Sequence, residues 1–170
     1  GDPLVWKTRL RELEAEHERV EFELEALTAA LDELALADEE MRSEFSPALA
    51  KSAASVLSRL TGGAYTELTL DRELNALVRC AGEPVLHESA FLSRGTADQL
   101  YLALRIALCD MLLGGEDPCP IVLDDALINF DDARMGYALD YLAEIAQHRQ
   151  ILLFSCHSRE KRYIQAKNED

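Results

Sequence analysis

Aromatic residues make up only 6% of the 170-residue chain, and no run approaches 18 consecutive apolar residues. Aliphatic side chains must therefore build most of any core, and a membrane-spanning helix is excluded. The four cysteines (Cys80, Cys109, Cys119 and Cys156) form no CxxC pair, and no His-x-x-x-His occurs. With no basic-then-apolar leader, the expectation is reduced, mostly buried thiols in a cytoplasmic protein. Cys156 adjoins His157, but neighbouring residues do not readily turn onto one ion. No further ligand cluster shows in the sequence, so no zinc site is expected. Basic charge is also scarce: 17 Lys and Arg face 32 Asp and Glu, a net charge of −15. A chain of that sign repels polyphosphate, so direct nucleic-acid binding is not expected of it. Finally, GxxxxGK[ST] is missing. Gly62–Gly63 and Gly114–Gly115 are followed by Ala-Tyr and Glu-Asp, with no lysine to reach a phosphate.

What is present begins with a long acidic segment. Residues 7–46 hold thirteen acids and five bases, without glycine or proline. Leu10, Leu13, His17, Val20, Leu24, Leu27, Leu31, Leu34, Asp38, Met41 and Phe45 recur at alternating spacings of three and four. Only His17 and Asp38 break that seam. A 3.5-residue period sustained over five heptads predicts a coiled coil, not one amphipathic face on a globular core. The helix continues through Leu49, Val56 and Leu60 until Thr61-Gly62-Gly63 stops it. The length suits one domain with an appendage, read as an arm over residues 1–60 and a lobe over 61–170.

Beyond Gly63 the period changes. "AYTELTLD" and "ELNALVRC", separated around Asp71–Arg72, alternate as a β-hairpin, and "AGEPVLHE" offers a third strand. Thr96-x-x-Gln99 reads as a capping box opening an apolar helix from about Ala97 to Leu113. "CPIVLDD" is a buried strand, residues 132–147 an amphipathic helix on Met135, Leu139, Leu142 and Ile145, and "QILLFSCH" a second buried strand ending at His157. Strand, helix and strand at this spacing predict a parallel βαβ unit.

In such sheets ligands sit beyond the carboxyl ends of the strands. Asp124–Asp125 and Ser155–His157 are expected to share that edge, where buried carboxylates need a cation or donors. An apolar strand ending in acid suits the Mg²⁺ of a nucleotide, with a second acid to orient water. The helix opening near Thr96 offers amides to an anion, with Ser93 and Gly95 beside them. Each piece taken alone has a bland reading: a strand that ends in a helix cap, or a well-capped core helix.

In order, "FLSRGTADQLYLALRIAL", "IVLDDALINFDD" and "LLFSCH" resemble the C-terminal half of an ABC-type ATPase head of the SMC/RecN/RecF kind, most of all its YhaN-type branch. "RLTGGAYTELTLD", entering from a coiled coil, is similar too. The resemblance implies an α/β fold: the C-terminal lobe of a P-loop ATPase, with a parallel βαβ core, a β-hairpin region and a long N-terminal coiled-coil helix. It implies that ATP and Mg²⁺ are used between two dimerised heads. Ser93, Arg94 and Gly95 then stand in the signature loop that meets the opposite head's γ-phosphate. Asp124 stands as the Walker B acid for Mg²⁺, Asp125 as the catalytic acid, Asn129 and Asp131 in the D-loop, and His157 as the γ-phosphate switch. Asp132 is expected to cap the following helix. Two residues depart from the pattern: Arg94 replaces a glycine, and Asp125 replaces the usual glutamate. The implied partners are the protein's own N-terminal P-loop lobe, a second identical head, and, through other parts of the full-length protein, a metallophosphoesterase nuclease and DNA. The family association is DNA repair or chromosome maintenance, and the lobe alone is expected to be inactive.

Two other readings compete. A non-enzymatic coiled-coil assembly protein explains residues 7–46 but gives no reason for Asp124, Asp125 and His157 to meet. A metal-dependent nuclease or phosphotransferase would use Asp124, Asp125, Asp131 and Asp132 together.

Overall fold

The computed structural model describes residues 3–71, 73–115 and 117–168, without the side chains of Met41 and Asn168. Two expected features, the Met41 position of the seam and Arg72 of the hairpin turn, thus lie outside the described residues. The chain divides into two units, Gly1–Glu44 and Phe45–Asp170. Helix α1 (Pro3–Leu60) carries both the first unit and the start of the second.

In the first unit, the seam residues Leu10, Leu13, Val20, Leu24, Leu27, Leu31 and Leu34 are all exposed. Pairs along the helix, such as Arg9–Glu12 at 3.0 Å and Arg19–Glu16 at 3.1 Å, run along the surface. Such pairs add only tenths of a kcal/mol each.

The second unit has a genuine core. Ala53, Val56, Leu57 and Leu60 of α1 pack with Leu68 and Val78 and with residues of the later helices. The globular part thus begins inside the helix, after Glu44, and not where the sequence changes period at residue 61. Pro47 lies within α1 and removes one rung of its hydrogen-bond ladder. Gly62, at φ +61°, turns the chain out of the helix while the Gly63 amide donates back to the Ser58 carbonyl at 2.8 Å. A side chain at Gly62 would also strike the Tyr137 ring, 2.6 Å from where its Cβ would stand.

Strands β1 (Tyr65–Leu70), β2 (Ala76–Cys80) and β3 (Leu86–Glu88) form the antiparallel sheet expected from the alternation, in that order. After a 3₁₀ turn, Ser89–Phe91, helix α2 (Arg94–Leu113) runs through the core. Its cap is Ser93 and not Thr96: the Ser93 hydroxyl accepts from the Thr96 amide at 3.3 Å. Gln99, expected to close the capping box, instead donates to the Leu60 carbonyl at 2.5 Å and covers the end of α1.

Strands β4 (Ile121–Asp124) and β5 (Ile151–Phe154) pair in parallel around helix α3 (Asp132–Ile145), the predicted βαβ unit. Both strands depart from the expected burial. Ile121 and Leu123 face the core, whereas Val122, Leu152 and Phe154 are exposed. Strand β5 ends at Phe154, three residues short of His157, and a further helix, α4 (Ser158–Asn168), follows. No helix among the described residues is long and apolar enough to cross a membrane.

Candidate functional site at the carboxyl edge of the parallel strands

Parallel register sets Asp124 opposite Phe154, so both strands deliver their carboxyl ends to one edge. The Asp125 amide donates to the Phe154 carbonyl at 3.0 Å, extending the ladder by one rung. Asp125 adopts φ +45°, a left-handed conformation uncommon outside glycine. Its Oδ1 accepts from the Cys156 amide at 2.8 Å, binding the β4 end to the turn after β5. That amide, followed by the Cys156 thiol and the nearby His157, holds the Asp125 carboxyl below the usual carboxylate range. The Cys156 thiol is raised in return, chiefly by its bond to Asp125. The His157 amide donates to the Ser155 hydroxyl at 3.1 Å, which shapes the turn.

The edge sets Asp125 against the Cys156–His157 turn, with Asp124 opposite Phe154 one residue earlier, but its acids are not buried. Asp124 is exposed and Asp125 half-buried. The desolvation problem posed by the apolar run is accordingly mild in this chain. Among the described residues, no hydrogen bond or ion pair engages the Asp124 carboxylate. An exposed, unpaired carboxylate beside an ionised one is a hard-oxygen donor set of the kind that suits Mg²⁺.

A second group forms where the β4–α3 loop meets the start of α2. Gly95 is buried there, and a Cβ on it would stand 2.5 Å from Arg134 Nη1 and 2.9 Å from the Asn129 carbonyl oxygen. Only glycine fits. The Asn129 amide donates to Asp98 at 2.7 Å, and Arg134 reaches the Ser93 hydroxyl at 3.5 Å. Ser93, Gly95 and Asn129 are thus joined, while Arg94 and Asn129 stay exposed. Asp131, not Asp132, caps α3: its Oδ1 accepts from the Arg134 amide at 2.9 Å. Asp132 opens the helix, with Arg159 Nη1 3.9 Å away. Asp125, Asp131 and Asp132 have separate engagements, and among the described residues the four aspartates do not gather as a ligand group, which removes the geometric basis for a shared four-carboxylate metal site. Sequence reading missed Asp98 and Arg134. Nothing in their local spacing marks them, because their partners lie 31 and 41 residues away.

The cysteines depart from expectation as well. Cys119 and Cys156 are exposed, and Cys80 and Cys109 are half-buried. A ligand cluster does assemble, from Cys80, Glu83 and His87, whose donor atoms all lie within 4.8 Å of one another. Its signal was Cys-x₂-Glu-x₃-His across a hairpin turn, a spacing without the second cysteine that usually draws notice.

This fold has close counterparts. The Smc head domain of Pyrococcus furiosus, with an extended coiled coil and bound to the C-terminal domain of ScpA, superposes with a TM-score of 0.60 at 16% identity, over 95% of this chain and 41% of that one. An SMC ATPase studied for ATP-driven dimerisation and DNA-stimulated activation matches with a TM-score of 0.59 at 16% identity, over 72% and 74%. By fold, then, the chain is similar to SMC head domains with a coiled coil, and by sequence it belongs to the YhaN family. In sequence it is similar to YhaN of Bacillus subtilis (strain 168), an uncharacterised protein, with 32% identity over 116 residues. That match covers 68% of this chain and 12% of YhaN. No family model matches the chain.

Proposed function

We propose that this lobe is half of a head that binds and hydrolyses ATP between two dimerised copies, in DNA repair or chromosome maintenance. The observation that carries the reading is the meeting of Asp124, Asp125 and the Ser155–His157 turn at one strand edge, fastened by the Asp125–Cys156 bond. In this reading Asp124 would hold the Mg²⁺ that accompanies the nucleotide, and the ion supplies charge neutralisation on the phosphates. Asp125, ionised at neutral pH, orients and deprotonates the attacking water. His157 senses the γ-phosphate from the adjoining turn.

Ser93, Arg94 and Gly95 meet the γ-phosphate held by the opposite head. The amides at the start of α2 face an anion favourably there. Asn129 and Asp131 belong to the same surface and reach toward the partner head. Having no GxxxxGK[ST], these 170 residues need an N-terminal P-loop lobe to cradle ATP, and the lobe alone does not turn over. The exposed faces of β4 and β5 suit docking of that lobe, and the open leucine seam of the arm suits the returning helix of a coiled coil. With a charge of −15, contacts to DNA and to a metallophosphoesterase nuclease are assigned to other segments of the full-length protein.

The test is a full head carrying both lobes. Asp125→Asn lowers ATP turnover by about 100-fold or more while leaving nucleotide binding intact, as loss of a general base requires. Unchanged turnover would refute the role given to Asp125. Ser93→Arg abolishes ATP-dependent dimerisation and spares nucleotide binding; equal loss of both would refute a contact made in trans. The assembly-protein reading predicts no binding of Mg²⁺ and ATPγS by the same head.

A further inference from the structure

We propose that Cys80, Glu83 and His87 form a three-ligand zinc site on the β2–β3 hairpin, separate from the nucleotide edge. Cys80 closes β2, His87 lies in β3, and Glu83 stands in the turn between them. The turn is already wound for this. The Glu83 amide donates to the Cys80 carbonyl at 3.1 Å, Gly82 takes φ +83°, and Glu83 Oε2 lies 2.9 Å from His87 Nε2.

Bonds of about 2.0–2.3 Å in a tetrahedral zinc site put ligand atoms roughly 3.3–3.8 Å apart. The three donor atoms lie within 4.8 Å of one another, so no pair need approach by more than about 1.5 Å to reach that spacing. The donor chemistry selects the ion. One thiolate, one imidazole and one carboxylate suit borderline-soft Zn²⁺, whereas Mg²⁺ and Ca²⁺ prefer oxygen alone. Binding displaces the Cys80 thiol proton to solvent. Thiolate and carboxylate together then cancel the two positive charges of the ion.

That neutrality matters because the same residues line a cavity of about 300 Å³ with Tyr65, Ser93 and Arg134. A neutral centre is not repelled by the Arg134 guanidinium. Three protein ligands leave one position for water or an anion. The ion also ties the end of β2 to β3, which closes at Glu88 shortly before Ser93, and a ligand that binds the folded chain alone raises its stability. The site does not depend on the nucleotide reading.

The test uses the full chain, stripped of metal with chelator and dialysed against Zn²⁺, with Co²⁺ as a spectroscopic probe. One zinc per chain is expected, and Co²⁺ should show a thiolate-to-metal charge-transfer band. Cys80→Ser and His87→Ala each weaken zinc binding by about tenfold or more and remove or shift that band, whereas Cys156→Ser changes neither. Glu83, 54% exposed in its side chain, supplies a variant that leaves the fold undisturbed; Glu83→Gln also weakens binding. The proposal is overturned if no zinc is retained at micromolar free metal. It is equally overturned if Glu83→Gln and His87→Ala bind as wild type, or if Cys156→Ser abolishes uptake.

Discussion

Leu27 and Leu57 lie on one helix, yet Leu27 is 65% exposed and Leu57 only 1%. Neither local propensity nor period separates them, since α1 is continuous from Pro3 to Leu60. The difference is a partner. Around Leu57 the chain itself returns, through β1, β2 and α2, to cover the helix. Around Leu27 nothing in the described residues does. A heptad seam announces that apolar surface will be covered, but not by what; the arm leaves that unanswered and the lobe answers it internally.

That contrast can be broken at graded points. Leu57→Ala should cost about 2–5 kcal/mol, read as a large fall in the urea midpoint, because it opens a cavity in a sealed core. Gly95→Ala should cost about 1–3 kcal/mol, since its methyl group meets Arg134 and the Asn129 carbonyl. In a full head it should also weaken dimerisation. Asp71 sharpens the comparison at acid pH. Its carboxyl is held below its ordinary 3.8, first by the Asn75 side chain and then by the Asn75 backbone amide. A depressed carboxylate contributes stability that is full above the unfolded value and is lost as pH falls through the folded one. Asp71→Asn should therefore flatten the acid limb of a denaturation series run from about pH 5 downward. Smallest of all, Leu27→Ser should shift the stability of the lone chain by less than about 0.5 kcal/mol. The same change should weaken coiled-coil pairing in the full-length protein, and a large loss of stability in the lone chain would mean that the seam is already covered.

Much of the fold was legible because its signals are local. Alternation in "AYTELTLD" and "ELNALVRC" gave the hairpin, and the apolar runs before Asp124 and Ser155 gave the parallel pair. The errors share one cause. Ser93 and Thr96 are both competent caps; Ser93 takes the Thr96 amide, while Gln99, which a capping box at Thr96 would use, is bonded to Leu60 across 39 residues of sequence. Asp131 and Asp132 are equally plausible caps; φ −69° and ψ 172° at Asp131 decided between them. The strands read as buried because their residues are apolar, yet one face of each stays open. The grouping of Cys80, Glu83 and His87 escaped notice because a turn, and not a familiar spacing, gathers them.

By itself, then, the sequence determined the period of each element, the places where glycine must turn the chain, and the acid pair that ends β4, since these follow from backbone sterics and from side-chain type along a few residues. Only tertiary structure decided which leucines of α1 are covered, which hydroxyl caps α2, that Gly95 must admit Arg134, and that Asp125 is tied to the Cys156 amide. Those outcomes depend on atoms brought together from distant stretches of chain, and contact between distant stretches is something that folding supplies and local pattern does not encode.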